Sequence, residues 1–199
     1  MYRDEISVTY AMTGSLSDDE LMRRVAGGDT DSMREPAFRL LAARHLRRAH
    51  AIAMRIVHNR EDAEEVVQEA LTRVWRYAAR FDPARSAFGT WFYRILANAA
   101  LDRLRRRPPP AGNMDNYSES LPDEAATGED AWQKAQEARR IQAALSVLPP
   151  RQKMAVVLCY YEDFTQTEAA RIMKLNPKAL ESLLFRAKKS LRQSLKPQS

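Results

Sequence analysis

The sequence is poor in glycine and cysteine, and each shortage excludes a class of protein. Only 6 of 199 residues are glycine, which argues against a fold built on glycine-rich phosphate loops. The single cysteine, Cys159, has no second cysteine to pair with, so no disulfide can form within the chain. A chain without disulfides fits a reducing compartment, and we expect a cytoplasmic protein.

Long apolar runs are also missing. The longest, from Met154 to Tyr161, is far shorter than the roughly 18 residues of a membrane-spanning helix. The N-terminal residues lack a basic segment followed by an apolar one, so we expect no secretory signal and no membrane insertion. No nucleophile lies beside a base, and the spacing of His45, His50 and His58 puts no clean pair on one helix face. The sequence therefore predicts no catalytic residues, no metal site and no cofactor.

Charge is arranged in blocks. The net charge is +6 overall, with −1 over residues 1–79, +5 over 80–107, −6 over 108–133 and +8 over 134–199. Two basic blocks suggest two places that meet a polyanion, although ordinary basic helix faces would give the same pattern. The acidic block contains prolines, glycines and few large apolar residues, so it cannot offset the entropy of ordering. We predict a tail at 1–15, a first domain at 16–107, a flexible linker at 108–130 and a second domain at 131–199.

Helical periodicity dominates both sides of that linker. Apolar residues recur at helical spacing over 38–56, 63–78 and 88–99. Ser17 and Glu20 form the pattern of a capping box for an earlier short helix, and segment 29–37 reads as a surface loop. Since no segment alternates with period two, the sequence predicts an all-α protein with a helical bundle in the first domain.

The second domain is also predicted to be helical, with helices near 131–147 and 151–162 followed by a helix-turn-helix. Thr165 and Glu168 can cap a short helix, and Asn176 and Pro177 can begin the next. In a helix-turn-helix the second helix enters the DNA major groove. A helical hairpin with a solvated basic face is the alternative.

Four stretches in this order resemble the two-domain extracytoplasmic-function sigma factors of the sigma-70 family. They are DELMRRVAGGD (19–29), EDAEEVVQEALTRVW (61–75), FDPARSAFGTWFYRILANAALDRLRRR (81–107) and the segment 148–192 that begins LPPRQKMAVVLCYY. The resemblance implies a sigma-2-like helical bundle and a sigma-4-like helix-turn-helix domain joined by the acidic linker. It also implies an alternative sigma factor that binds the β and β′ subunits of bacterial core RNA polymerase, reads stress-type promoter DNA and assists −10 melting. A cognate anti-sigma factor is an expected partner, and the free protein is expected to be a monomer.

The resemblance assigns the polar face of 61–75 to core polymerase. A carboxylate-rich face suits a basic helical partner, whereas ion pairs four residues apart would leave an ordinary solvated helix. The predicted contacts are Glu64, Glu65, Gln68, Glu69 and Arg73.

The stretch 81–107 combines aromatic residues, which can stack on unpaired bases, with arginines, which can hold phosphates. The resemblance implies a pocket for a base taken from the stack, formed by the loop at 81–88 and the amide of Asn98, which we expect to be buried. A core position is the alternative for Trp91. The predicted −10 contacts are Phe81, Phe88, Trp91, Arg94, Asn98, Arg103, Arg105 and Arg106.

The final helix is assigned to the −35 duplex. Arginine can pair with guanine, and phenylalanine can contact a thymine methyl group. Glu181 lies where many relatives carry basic or polar residues, so it either accepts from a cytosine amine or repels phosphate. The predicted contacts are Lys178, Glu181, Ser182, Phe185, Arg186 and Lys189.

Two other functions stay open at this point. A sigma-like decoy that titrates an anti-sigma factor would be expected to lack the aromatic and arginine set of 81–107 or the basic final helix. A stand-alone helix-turn-helix regulator would not require the polymerase face of 61–75 and would usually dimerise on a palindrome.

Overall fold

The computed structural model describes residues 16–27, 31–106 and 142–195, together with 136 and 140. The helices are α1 (Asp18–Gly27), α2 (Asp31–Val57), α3 (Arg60–Arg76), α4 (Phe88–Arg106), α5 (Pro150–Val156), α6 (Gln166–Met173) and α7 (Pro177–Ser194). A 3-10 turn, Ala78–Arg80, follows α3, residues 142–146 are helical, and a π-helical turn, Val157–Tyr161, continues α5. Within these ranges no residue lies in a strand, which confirms the all-α prediction.

The predicted helix starts are confirmed by their capping contacts. Ser17 Oγ accepts a hydrogen bond from the backbone N–H of Glu20 at 3.3 Å, and the Glu20 carboxylate accepts from the backbone N–H of Ser17 at 2.8 Å. Thr165 and Glu168 form the same reciprocal capping box at the start of α6. The Asn176 side chain accepts from the first turn of α7 at 2.8 Å. These local bonds satisfy backbone donors that a helix start leaves without partners.

The loop prediction for 29–37 is wrong from Asp31 onward, because α2 begins there. Pro36 lies inside the helix, where it removes one backbone donor near the start. Ala37 and Leu41 are each 1% exposed, so the apolar stripe of α2 continues almost to the first turn. Burial of that stripe favours helix over loop.

Helices α1 to α4 pack together as the first half of the molecule (residues 16–106). Helix α2 contacts α1, α3 and α4, and α3 also contacts α4. The periodic apolar residues of the sequence form the core of this bundle. Its largest fully buried side chains are Leu21, Met22, Leu41, Ile52, Ile56, Phe88, Phe92 and Leu96.

Helices α5 to α7 form the second half (residues 142–195), in which α5 and α6 both pack against α7. The two halves also touch, because α4 packs against α6 and α5, and α2 reaches α5 and the π-helical turn. The buried residues of both halves therefore form one continuous cluster. The tail at 1–15 and the linker at 108–130 lie outside the described residues, and the domain boundaries stay a prediction.

No helix in the described part of the chain has the length and apolar character needed to cross a membrane. The same residues contain no cluster of histidine, cysteine and carboxylate side chains suited to a metal ion.

Candidate nucleic-acid and partner interfaces

Helix α7 separates its buried residues from the residues predicted to contact the −35 duplex. Leu180, Leu184 and Ala187 are at most 4% exposed and fix the helix on α5 and α6. All six predicted contacts lie on the exposed side, and Phe185 is 71% exposed. Among the described residues, the three cations of this set form no ion pair, so their charges are available to phosphates.

The turn before α7 is set by backbone geometry. Lys174 ends α6 in the left-handed conformation, with φ 51° and ψ 49°. The backbone N–H of Leu175 then bonds to the carbonyl of Ala170 at 2.8 Å. This ending redirects the chain sharply, and Asn176 starts α7 at once. The helix-turn-helix prediction is therefore confirmed.

The aromatic residues predicted at the −10 site form a packed cluster. The ring centroids of Phe81 and Trp91 are 5.5 Å apart, and those of Phe81 and Phe88 are 6.1 Å apart. Phe81 and Trp91 are each 9% exposed, and Phe88 is 2% exposed. The structure thus packs all three rings together in the core beneath the loop at 81–88, and we call this cluster of Phe81, Phe88 and Trp91 the aromatic wall. Their stacking on bases stays a prediction, and the alternative core position of Trp91 is the one observed.

The loop at 81–88 is held at both ends. The Asp82 carboxylate accepts from the backbone N–H of Ala84 at 2.9 Å, which makes a tight turn. The Asp19 carboxylate, from α1, accepts from the backbone N–H of Phe88 at 2.7 Å. Asp19 therefore anchors the start of α4, a role that the sequence alone gave no reason to assign.

Arg94 and Asn98 lie one turn apart on α4, on a common face. The Asn98 side chain is exposed rather than buried as expected, and it makes no hydrogen bond to any described residue. Its amide can therefore donate to and accept from a base edge without breaking an internal bond. Arg94 is half-buried and forms no ion pair with the described residues.

The arginines at the end of α4 differ from one another. Arg103 donates to the buried Asp62 carboxylate through Nε at 3.0 Å and Nη2 at 2.5 Å, and its Nη1 is 2.7 Å from Glu65. The hydrogen bond to Asp62 raises the pKa of Arg103. Arg105 pairs with the neighbouring Asp102 at 2.6 Å, whereas Arg106 is exposed and forms no ion pair within the described ranges. Arg106 is thus the freest of the three for a phosphate, while Arg103 ties α4 to α3.

The predicted polymerase face of α3 borders a groove of about 450 Å³ between α2 and α3. Glu64 and Gln68 lie at this groove, and Leu46, one of its apolar residues, is 48% exposed. The full lining is Phe38, Leu46, His50, Glu64, Val67, Gln68, Leu71, Thr72 and Trp75. An apolar groove whose lining includes one carboxylate, that of Glu64, fits an amphipathic helix that carries basic residues.

Ion pairs along α3 also agree with the alternative interpretation. Glu64 pairs with Arg60 at 3.0 Å, and Glu69 pairs with Arg73 at 2.6 Å. Exposed pairs of this kind contribute little to stability. They can therefore exchange for contacts with a charged partner at small cost.

His45 belongs to an internal hydrogen-bond chain that sequence reasoning missed. Its Nε2 lies 2.7 Å from the Asp18 carboxylate, and its Nδ1 lies 3.0 Å from the Tyr93 hydroxyl. Burial opposes ionisation of Asp18, but hydrogen bonds from Arg44 and His45 outweigh it and lower the Asp18 pKa. Burial raises the pKa of Tyr93 to about 12. This chain joins α1, α2 and α4 and has a structural role.

Comparison with protein families places both halves in one family. Residues 41–108 match Sigma-70 region 2, and residues 138–191 match Sigma-70 region 4. These segments contain α3 with α4, and the helix-turn-helix, respectively.

Curated relatives match over nearly the whole chain. The ECF RNA polymerase sigma factor SigK of Mycobacterium tuberculosis is 30% identical over 185 residues, which cover 89% of this chain and 92% of SigK. The RNA polymerase sigma-H factor of Pseudomonas aeruginosa is 29% identical over 90% of this chain and 94% of its own length.

Two solved structures share the fold. CnrH, in complex with the cytosolic domain of CnrY, is 25% identical with a TM-score of 0.67, covering 92% of this chain and 99% of CnrH. The sigma factor RpoE of Bartonella quintana, in complex with the anti-sigma factor NepR, is 22% identical with a TM-score of 0.63, covering 81% and 98%.

Proposed function

The chain belongs to the extracytoplasmic-function sigma factors of the sigma-70 family, and we propose that it reads its promoters through α7 and α4 while α3 docks on core polymerase. In this role it is a specificity subunit with no catalytic activity of its own, and it acts in the cytoplasm, where core polymerase is found. The observation that carries the proposal is the row of exposed side chains along α7 that have no ion-pair partners among the described residues.

At the −35 element, α7 supplies both kinds of contact that a major groove requires. Arg186 is long enough to pair with guanine, and Phe185 presents an exposed ring to a thymine methyl group. Lys178 and Lys189 contact phosphates, which fixes the position of the helix on the duplex without reading sequence. Glu181 accepts from a cytosine amine on this proposal, because phosphate alone would be repelled.

At the −10 element, α4 holds an unpaired base beside Asn98. Taking a base out of the stack costs a few kcal/mol, so the site must recover that energy through hydrogen bonds and phosphate contacts. Asn98 offers a free amide, and Arg94 and Arg106 offer positive charge. The aromatic wall of Phe81, Phe88 and Trp91 holds the loop at 81–88 in a fixed conformation.

Core polymerase docks on the groove between α2 and α3. A basic amphipathic helix would place its apolar side chains against the groove and a cation against Glu64, which lines it. Polymerase then holds both DNA-binding halves of the chain, so that weak contacts to each promoter element act at high effective concentration.

An anti-sigma factor restrains this chain on our proposal. The similar fold of the Bartonella RpoE, which was solved with the anti-sigma factor NepR, supports a shared mode of control. An anti-sigma segment that occupied the α2–α3 groove would block polymerase binding.

Reconstitution with bacterial core polymerase tests the proposal. We expect promoter-specific run-off transcripts that core polymerase alone does not produce. Replacing Asn98 with Ala should impair −10 opening, followed by permanganate reactivity of unpaired thymines, while binding to core stays unchanged. Folded protein that failed to bind core polymerase at all would refute the proposal.

A matched pair of variants tests the docking groove. Glu64→Lys and Glu35→Lys both reverse an exposed glutamate that pairs with an arginine four residues away, but only Glu64 lines the groove. We expect Glu64→Lys alone to weaken core binding. Equal affinities for the two variants would move the polymerase site elsewhere.

A further inference from the structure

The segment after the π-helical turn projects from the second half into a cationic surface of the first. The Glu162 side chain is only 9% exposed, and its carboxylate lies 2.9 Å from Arg55 Nη1 and 3.2 Å from Arg48 Nε. Arg48 also donates to the backbone carbonyl of Glu162. One residue of the second half thus engages two arginines of α2.

An aromatic contact follows directly after this ion pair. The Arg48 guanidinium lies 3.9 Å from the ring centroid of Phe164, and the Phe164 ring packs edge-on against Tyr93 with centroids 5.2 Å apart. The Tyr161 ring lies 5.1 Å from the Arg55 guanidinium. Each arginine therefore combines an ion pair with a cation–π contact, which fixes its orientation.

A second point of attachment lies at the end of α2. Lys153 Nζ is 3.5 Å from the carbonyl oxygen of Ile56 and 2.8 Å from His58 Nε2. Helix α2 ends at Val57, and the last carbonyls of a helix carry negative partial charge and need donors. A lysine of the second half thus caps a helix of the first.

Between these two points, α4 packs against α6. Ala97 and Ala100 on α4, and Ala169 and Ala170 on α6, are all at most 3% exposed. Small side chains allow two helices to approach closely. The helix that carries Arg94 and Asn98 is therefore packed directly onto the first helix of the helix-turn-helix.

We propose that residues 161–164 are an intramolecular ligand for the surface formed by Arg48, Arg55 and Tyr93, and that this contact holds the free chain closed. The functional consequence rests on the proposed sigma-factor role. Elements at −10 and −35 are about 25 base pairs apart, which is about 85 Å along the duplex. A packed body of about 150 residues has a radius of gyration of about 15 Å, so the closed chain cannot occupy both elements at once.

The contact between residues 161–164 and α2 is weak enough to break when a partner binds. The Arg48 and Arg55 side chains keep 40% and 31% of their exposure, and burial raises the pKa of Glu162 even though both arginines oppose that shift. The two arginines thus offset only part of the free-energy cost of removing water from the Glu162 carboxylate. Polymerase that binds the two halves at separate places would draw them apart.

Small-angle X-ray scattering of the full-length protein tests the closed state. Arg48→Glu places a second carboxylate against Glu162 and removes the ion pair, the backbone hydrogen bond and the cation–π contact that Arg48 makes with residues 162–164. We expect the radius of gyration to increase by at least about 5 Å, because the linker predicted at 108–130 would let its ends separate by about 25 Å. Arg47→Glu is the matched control, since Arg47 is exposed on the same helix and forms no ion pair with described residues; it should leave the radius unchanged.

A charge exchange distinguishes the contact from a general loss of folding. Glu162→Arg alone should open the chain, and its combination with Arg48→Glu and Arg55→Glu, which reverses all three charges of the contact, should restore most of the closed population, with circular dichroism confirming equal helix content throughout. Recovery would support the pairing, and failure to recover would refute it. Equal radii of gyration for wild type and Arg48→Glu would overturn the proposal. If both were compact, Arg48 would not hold the chain closed, and if both were extended, the free chain would not be closed at all.

Core binding separates this inference from the proposed function. An open variant no longer has to leave the closed state first, so we expect Arg48→Glu to bind core polymerase about three- to tenfold more tightly than wild type. A radius that responds to Arg48→Glu in a protein that never supports transcription would keep the contact and refute the sigma role. Normal transcription with no response of the radius would refute the contact alone. Closure that appeared only after a separate protein was added would show that another partner, rather than residues 161–164, occupies this surface.

Discussion

The two predicted DNA-binding surfaces of this sigma factor are built in opposite ways. On α7 the predicted contacts lie on the exposed side, and the buried side holds two leucines and one alanine. At the start of α4 the predicted aromatic contacts Phe81, Phe88 and Trp91 are themselves core residues. If the predicted contacts are correct, recognition and folding use different side chains in one region and the same side chains in the other.

The difference agrees with what each surface is predicted to bind. A helix that reads intact duplex enters a groove from outside, so its side chains need only be exposed and correctly spaced. A site for an unpaired base needs a walled pocket, and a wall on a small bundle is made from the core. Substitutions in α7 should therefore alter promoter choice alone, whereas substitutions in the aromatic wall should also alter stability.

The largest expected contrast is between two phenylalanines. Phe88→Ala removes a ring that is 2% exposed and should lower the free energy of unfolding by about 3–5 kcal/mol. Phe185→Ala removes a ring that is 71% exposed and should change it by at most about 0.5 kcal/mol. Urea denaturation followed by circular dichroism measures both.

Promoter binding by the same two variants completes this comparison. Phe185→Ala should lose affinity for the −35 duplex while remaining as stable as wild type. A large loss of stability for Phe185→Ala would show that α7 does not separate recognition from folding.

A smaller effect distinguishes two cations within α7. Arg186→Ala should weaken binding to the preferred −35 sequence by about 1–3 kcal/mol and relax selectivity at one base pair. Lys178→Ala should weaken binding equally on all sequences and reduce its salt dependence by about one phosphate contact. Fluorescence anisotropy on a panel of duplexes at several salt concentrations measures both. An identical profile for the two variants would make Arg186 a phosphate contact.

Sequence was a reliable guide where the signal is local. The capping residues Ser17, Thr165 and Asn176 act on backbone groups within three residues, so the spacing alone predicts their bonds. The exposed face of α7 follows in the same way from the period of its leucines. Segment 29–37 was misread as a loop because the buried apolar stripe of α2 begins only at Ala37, so the segment before it has no helical period to detect.

Sequence was a poor guide where partners are distant along the chain. Arg103 belongs to a visible cluster of arginines, and only the fold brings it to Asp62, 41 residues away. Glu162 and Arg48 are 114 residues apart, and neither stands out from its neighbours. An arginine that is paired and one that is free look the same in the sequence, so the contact between the two halves could not be predicted from it.

Lys153 extends the comparison to a cation of the second half that faces the first half instead of DNA. Burial lowers the pKa of Lys153 to about 8, from 10.5 for an exposed lysine. At pH 7 the residue is charged in both the folded and the unfolded chain, so the full cost of burying it is present. Between pH 8 and pH 10.5 the unfolded chain binds more protons than the folded chain, so the contribution of Lys153 to the free energy of unfolding increases with pH.

The smallest predicted effect is therefore a pH-dependent difference between Lys153→Met and wild type. Methionine keeps the buried chain but cannot carry charge, so any stability advantage of the variant should shrink by on the order of 1 kcal/mol between pH 7 and pH 10. Lys178→Met, at an exposed site, should show no such trend. Urea denaturation at four pH values measures the difference. If the difference in free energy of unfolding between the two proteins stayed constant across this range, Lys153 would be hydrated in the folded chain. The end of α2, which Lys153 contacts, would then be hydrated as well.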